Sequence, residues 1–145
     1  MNRRDVLAQM TASAGVALTS MLGPPALAQR SRSSRLVIVG GAEDRLQDRI
    51  ILRKYVEYCG GSAAKIRIIT AASGDPEGVW QSYREAFHAL GVSDVDRLPI
   101  DDRESAQSAA VQAEILQADG IFMSGGDQSK LMAILWDSLA YQSLH

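Results

Sequence analysis

Ile121-Phe122-Met123-Ser124-Gly125-Gly126-Asp127-Gln128 is a short apolar run that breaks on paired glycines and then offers a helix-opening aspartate. A strand covered on both faces and passing directly into a helix has this form, because it needs no polar alternation. The same rhythm recurs upstream. Leu36-Val37-Ile38-Val39 ends on Gly40-Gly41, and Ile66-Arg67-Ile68-Ile69-Thr70 runs into a loop that closes on Asp75-Pro76. A third run, residues 95–100, is weakened by Asp96 and Arg97 and is expected nearer a sheet edge.

Helical periodicity fills the intervals. Over residues 46–59, Ile50, Ile51, Tyr55, Val56 and Cys59 fall at helical spacing, and Gly60-Gly61 terminates the pattern. Asp75-Pro76 suits a helix start, after which Val79, Trp80, Tyr83, Phe87 and Leu90 share one face until Gly91. Further helices are expected over residues 105–117 and from Ser129, the last carrying Leu131, Ile134, Leu135 and Trp136. Four strand–helix units with short connections predict an α/β fold over residues 35–145, a parallel sheet with helices on both faces. Function is then sought at the carboxyl ends of the strands, in residues 40–45, 71–75, 101–103 and 124–128.

Composition narrows the function further. The 145 residues carry 15 basic and 17 acidic side chains, a net charge of −2. That balance disfavours nucleic acid or an anionic membrane as partner, since both require a concentrated basic face. The single cysteine, Cys59, allows no internal disulfide and reads as a packed thiol at a helix end. His88 lies within a helix and lacks a second ligand at i+4, so no metal set is expected. His145 is the last residue.

Two loops differ in what they can do. Gly40-Gly41-Ala42-Glu43-Asp44-Arg45 lacks dinucleotide spacing and a P-loop lysine, and its two carboxylates stand where a phosphate would bind. A tight turn and a site role both remain open for it. Ser124-Gly125-Gly126-Asp127-Gln128 is more informative, because paired glycines allow close backbone approach and helix-opening amides stabilise an anion. That geometry suits an oxyanion hole at Gly125, Gly126 and Asp127, with Gln128 orienting an amide substrate. A glycine turn with an Asp127 cap is the structural alternative. Ser73 and Ser124 occupy strand-end loops without the surroundings of a nucleophile elbow.

In order along the chain, Val39-Gly40-Gly41-Ala42-Glu43-Asp44-Arg45, Ile68-Ile69-Thr70-Ala71-Ala72-Ser73, Tyr83-Arg84-Glu85-Ala86-Phe87, Asp102-Arg103 and residues 118–128 resemble the cyanophycinase family of serine peptidases, which includes aspartyl dipeptidase. The small departures are Arg45, where lysine is common, and Met123-Ser124, where Phe-Thr is frequent. The resemblance implies a flavodoxin-like, class I glutamine amidotransferase-like sheet, of which residues 35–145 form the N-terminal half. It implies hydrolysis of cyanophycin to β-aspartyl-arginine dipeptides, with no cofactor, and allows a homo-oligomer when complete. The nucleophile it implies is a serine on a turn after the next strand, activated by a later histidine, both beyond His145. A noncatalytic binding domain and a glutamine amidotransferase-like enzyme are the alternatives on the same scaffold.

The first 28 residues read as an export signal. Arg3 and Arg4 precede an apolar stretch over residues 10–22, too short to span a bilayer, and Ala26-Leu27-Ala28 offers a small-x-small cleavage pattern. Asn2-Arg3-Arg4-Asp5-Val6-Leu7 resembles the twin-arginine motif, with ordinary secretion as the alternative. Cleavage takes Arg3, Arg4 and Asp5 with it and leaves 13 basic and 16 acidic residues, a net charge of −3, behind a flexible arm at residues 29–34. No stable membrane association is expected after cleavage, and the product is expected in the periplasm or outside the cell. Mass spectrometry of the exported protein is therefore expected to read Gln29 as its first residue. Replacing Arg3 and Arg4 by lysine should sharply reduce export. An uncleaved Met1 in the exported fraction contradicts the first expectation, and undiminished export the second.

Overall fold

The computed structural model describes residues 34–144, so the export signal, nearly all of the arm and His145 lie outside the described residues. Three parallel strands form the sheet: β1 (Ile66–Ile69), β2 (Val95–Arg97) and β3 (Gly120–Met123), in the order β2-β1-β3. Ile66 stands opposite both Val95 and Gly120, which makes β1 the central strand. All four β1 residues are buried, three of them isoleucines and the fourth Arg67.

Among the described residues six α-helices accompany the strands: α1 (Ile50–Cys59), α2 (Pro76–Ala89), α3 (Arg103–Ala106), α4 (Ala109–Gln117), α5 (Gln128–Leu135) and α6 (Leu139–Ser143). The period-2 alternation of β1 divides them between two layers. Ile66 and Ile68 pack with Leu52 and Val56 of α1, Tyr83 and Phe87 of α2, and Phe122 of β3. Ile69 faces the other way, among Val111 and Ile115 of α4, Ile134 and Leu135 of α5, and Ala140 of α6. The expected parallel sheet with helices on both faces is what forms.

Phe122 centres the first layer, its ring 4.7 Å from Tyr83, 5.5 Å from Tyr55 and 5.7 Å from Phe87. At the start of the same strand, a Cβ on Gly120 would collide with Cys59 Sγ and the Tyr55 hydroxyl, so glycine there lets α1 seat on β3. Cys59 is half-buried against that contact.

Four elements depart from the sequence reading. Leu36–Val39 is not a strand: Leu36 is 83% and Ile38 84% exposed, and no ladder forms. A ladder is a property of pairs: the outer edges of β2 and β3 carry no partner strand, and an apolar run that docks on neither stays a strand in sequence pattern only. The helix expected from residue 46 begins at Ile50, because the Asp44 carboxylate first gathers the amides of Leu46, Gln47 and Arg49 into a turn. Arg49 then adopts the left-handed region, with φ of 50°, where the helix opens. The helix expected over residues 105–117 divides into α3 and α4, since the Asp102–Ser105 capping box closes a separate turn. α6, capped by Ser138, lacks the length of a readable period. The third strand is short and marginal, as its charges suggested, and ends at Arg97.

One charge lies inside the sheet. Arg67 is only 7% exposed, yet its Nε donates to Glu114 on α4 at 2.8 Å and its Nη1 to Asp94 at 2.8 Å. Pairing with Arg67 holds the Glu114 carboxyl below its ordinary value. A lowered folded-state value contributes stability that is complete above the unfolded carboxyl value and is lost as pH falls through the folded one. Arg67→Ala should therefore cost about 1–3 kcal/mol at pH 7. Its deficit in urea unfolding should shrink below about pH 4, where glutamate protonates in the unfolded chain. A deficit that grows on acidification contradicts this pairing.

Candidate functional site

The loops leaving β1 and β3 are sewn together by main chain. The Ser124 amide donates to the Ile69 carbonyl at 2.9 Å, and the Asp127 amide to the Ala72 carbonyl at 2.8 Å. Lys130 Nζ, from the first turn of α5, reaches the Ser73 carbonyl at 2.8 Å. Gly126 lies between these contacts with φ of 149°, a conformation reserved for glycine. A Cβ there would fall on the Ala72 carbonyl oxygen.

The Asp127 side chain caps α5, accepting from the Ser129 amide at 2.8 Å and the Lys130 amide at 3.1 Å. Its own amide is committed to Ala72, so the expected set of three oxyanion donors narrows to Gly125 and Gly126. Neither of those amides has an acceptor among the described residues, and both glycines are exposed. Gln128 is exposed beside them as the first residue of α5. The four predicted residues thus share one strand end, next to the loop over residues 71–75.

Ser73 and Ser124 are both 6% exposed. Ser73 Oγ is engaged by the Asp75 amide at 3.0 Å, which closes the turn before α2. Ser124 Oγ is buried and has no hydrogen-bond partner among the described residues. His88 is exposed in the last turn of α2, whose first turn meets the β1 loop. Fourteen helical residues span about 21 Å, so His88 sits at the opposite end of the sheet from Ser124. The loop over residues 101–103 is structural: Asp102 caps α3, and Arg103 Nη1 donates to the Trp136 carbonyl at 2.9 Å.

The loop over residues 40–45 combines a turn with a cleft wall. Main-chain donation, chiefly from Gln47, holds the Asp44 carboxyl down at about 2, which makes that side chain a turn-former. Glu43 and Arg45 instead line a cleft of about 400 Å³, together with Tyr83, Phe122, Ser124 and Gly125. The Tyr83 hydroxyl donates to Glu43 Oε1; burial first, and then this bond, push the phenol above its ordinary value. Sequence reasoning missed Lys130 as a clamp and Ser124 as a buried donor. Lys130 follows Asp127 by three positions, but only the folded chain puts its ammonium over Ser73. Among the described residues no cluster of His, Cys, Asp and Glu could hold a metal ion, and no helix is long and apolar enough to cross a membrane.

Comparison with known proteins converges on one family. The profile of peptidase family S51 matches residues 36–144. Cyanophycinases of Synechococcus elongatus and Thermosynechococcus vestitus are each 40% identical over 119 residues, covering 81% of this chain and 37% of theirs. The cyanophycinase of Geminocystis herdmanii is 37% identical over 110 residues, covering 76% of this chain and 40% of its own. Among solved structures, a peptidase from an acI-B1 actinobacterium superposes with a TM-score of 0.56 at 25% identity, over 66% of this chain and 41% of its own. The chain therefore spans well under half the length of the relatives it matches.

The contact between Gly126 and Ala72 separates the two glycines experimentally. Gly126→Ala should destabilise by about 2 kcal/mol or more, through both its backbone conformation and the collision. Nothing lies within 4 Å of a Cβ on Gly125, so Gly125→Ala should stay within about 1 kcal/mol of wild type. Urea midpoints of the two variants measure this, and equal midpoints contradict it.

Proposed function

The chain belongs to peptidase family S51, and from that premise we propose that it is the N-terminal part of an exported, cyanophycinase-like serine peptidase that releases β-aspartyl-arginine dipeptides. The observation that carries the reading is the pair of amides at Gly125 and Gly126, without acceptors, at the mouth of a capped helix. Such donors stabilise the oxyanion of a tetrahedral intermediate without reorganising, because the fold has already fixed them. Gln128 lies one residue beyond the cap and contacts the substrate amide. Ala72 and Lys130 keep the loop in register while charge develops. The relatives' names supply cyanophycin as the substrate, and the N-terminal pattern around Arg3, Arg4 and Ala28 supplies the export.

The chemistry also needs an activated nucleophile beside a base. Among the described residues no such pair exists: Ser73 Oγ is occupied, Ser124 has no base, and His88 is at the far end of α2. On this reading the nucleophile and its histidine are supplied from outside the described residues.

Two measurements test the reading. Incubated with cyanophycin, these 145 residues alone should release no β-aspartyl-arginine above a mock-purified control, as read by mass spectrometry. The complete gene product should release it, and Gln128→Ala in that product should raise KM more than it lowers kcat. Release by the short chain overturns the assignment of the nucleophile. No release by the complete protein overturns the substrate.

A further inference from the structure

The cleft beside β3 contains donors that an oxyanion hole does not use. Its charged wall residues are Arg35, Glu43 and Arg45, so cations outnumber the carboxylate. That carboxylate is engaged as well: Glu43 Oε1 accepts from Tyr83 and stands 3.7 Å from Arg45 Nε. The guanidinium carbon of Arg45 lies 5.0 Å from the centre of the Tyr83 ring. Glu43 on its Nε edge and Tyr83 against its face thus fix the Arg45 head. Its Nη1 and Nη2 have no acceptor among the described residues, although the side chain is only 36% exposed.

Ser124 lines the same cleft, 6% exposed and with its hydroxyl unpartnered among the described residues. A buried hydroxyl without a partner costs free energy that a ligand acceptor would recover. A planar guanidinium offering two parallel N–H donors matches a carboxylate, which it binds through both oxygens. Phosphate fits less well, because Glu43 lies close to the same guanidinium and would repel a second negative charge.

We propose that this cleft is a carboxylate-binding subsite, in which the Nη pair of Arg45 takes the carboxylate and Ser124 Oγ donates a further hydrogen bond. Glu43 and Tyr83 are positioning residues that aim Arg45. The inference rests on the peptidase reading for its consequence: the substrate carries a free carboxylate near the scissile carbonyl held at Gly125 and Gly126. Arg45 then selects on charge, one strand end away from the chemistry.

Binding can be measured without turnover, which separates this proposal from the hydrolysis assay. Succinate titrated into the ¹⁵N-labelled chain should shift the amides of Arg45, Ser124 and Gly125 saturably, whereas its neutral isostere succinamide should leave them unmoved. Arg45→Gln should weaken succinate binding by about tenfold or more, and Ser124→Ala by about threefold or more. Arg45→Lys, which keeps the charge and loses the fork, should fall between wild type and Arg45→Gln. Equal shifts with succinamide, shifts reproduced by sodium chloride at matched ionic strength, or wild-type affinity in both Arg45→Gln and Ser124→Ala overturn the subsite. Should Arg45→Gln lose its dispersed spectrum, Ser124→Ala and Arg45→Lys decide alone. A chain that binds succinate as described, in a complete protein that cleaves no cyanophycin, keeps the subsite and sinks only the hydrolysis.

Discussion

The approach of the Gly126 backbone to the Ala72 carbonyl is the contact on which the site depends. It fixes the β3 loop against the β1 loop, and three further features follow from it. The Asp127 amide is consumed by Ala72, Asp127 is left in place to cap α5, and Lys130 arrives over Ser73. Only a residue without a Cβ can stand there. The glycine pair is therefore divided in role: Gly126 is demanded by packing, whereas Gly125 is free of neighbours and presents its amide.

The sheet beneath explains why this approach is possible. β1 and β3 pair in parallel with Ile69 opposite Met123, so both strands end at the same height and release their loops side by side. The two core layers hold that register from opposite faces, one through the aromatic cluster around Phe122 and the other through Ile69, Ile115 and Leu135. Arg67 adds a polar tie between β1 and α4 at a position where the alternation of the strand points inward. Its partners are surface carboxylates, so the charge is paired without either acid being buried.

The amides of Gly125 and Gly126 and the neighbouring cleft have different physical characters. Gly125 and Gly126 offer main-chain donors that no side-chain change can recharge. Arg45 offers a side-chain charge whose direction depends on Glu43 and Tyr83, residues forty positions apart in sequence.

By itself the sequence determined that this is a strand–helix protein, that its sheet is parallel, and that residues 124–128 form the loop to examine. Those readings rest on local signals: β-branched apolar runs, helical spacing, and glycine or Asp-Pro punctuation, each decided within a few residues. The membership of family S51 was legible on the same terms, as an ordered set of short motifs. Tertiary structure alone decided that Leu36–Val39 forms no ladder, because a strand exists only where its backbone meets a partner edge, and this run docks on neither outer edge of the sheet. It alone decided that Asp127 spends its amide on Ala72, that Ser124 buries an unpartnered hydroxyl, and that Glu43 and Tyr83 meet across 40 residues to aim Arg45. Each of these is a contact between distant segments, and the distance between such segments is set by the packed core, on which no run of neighbouring residues carries information.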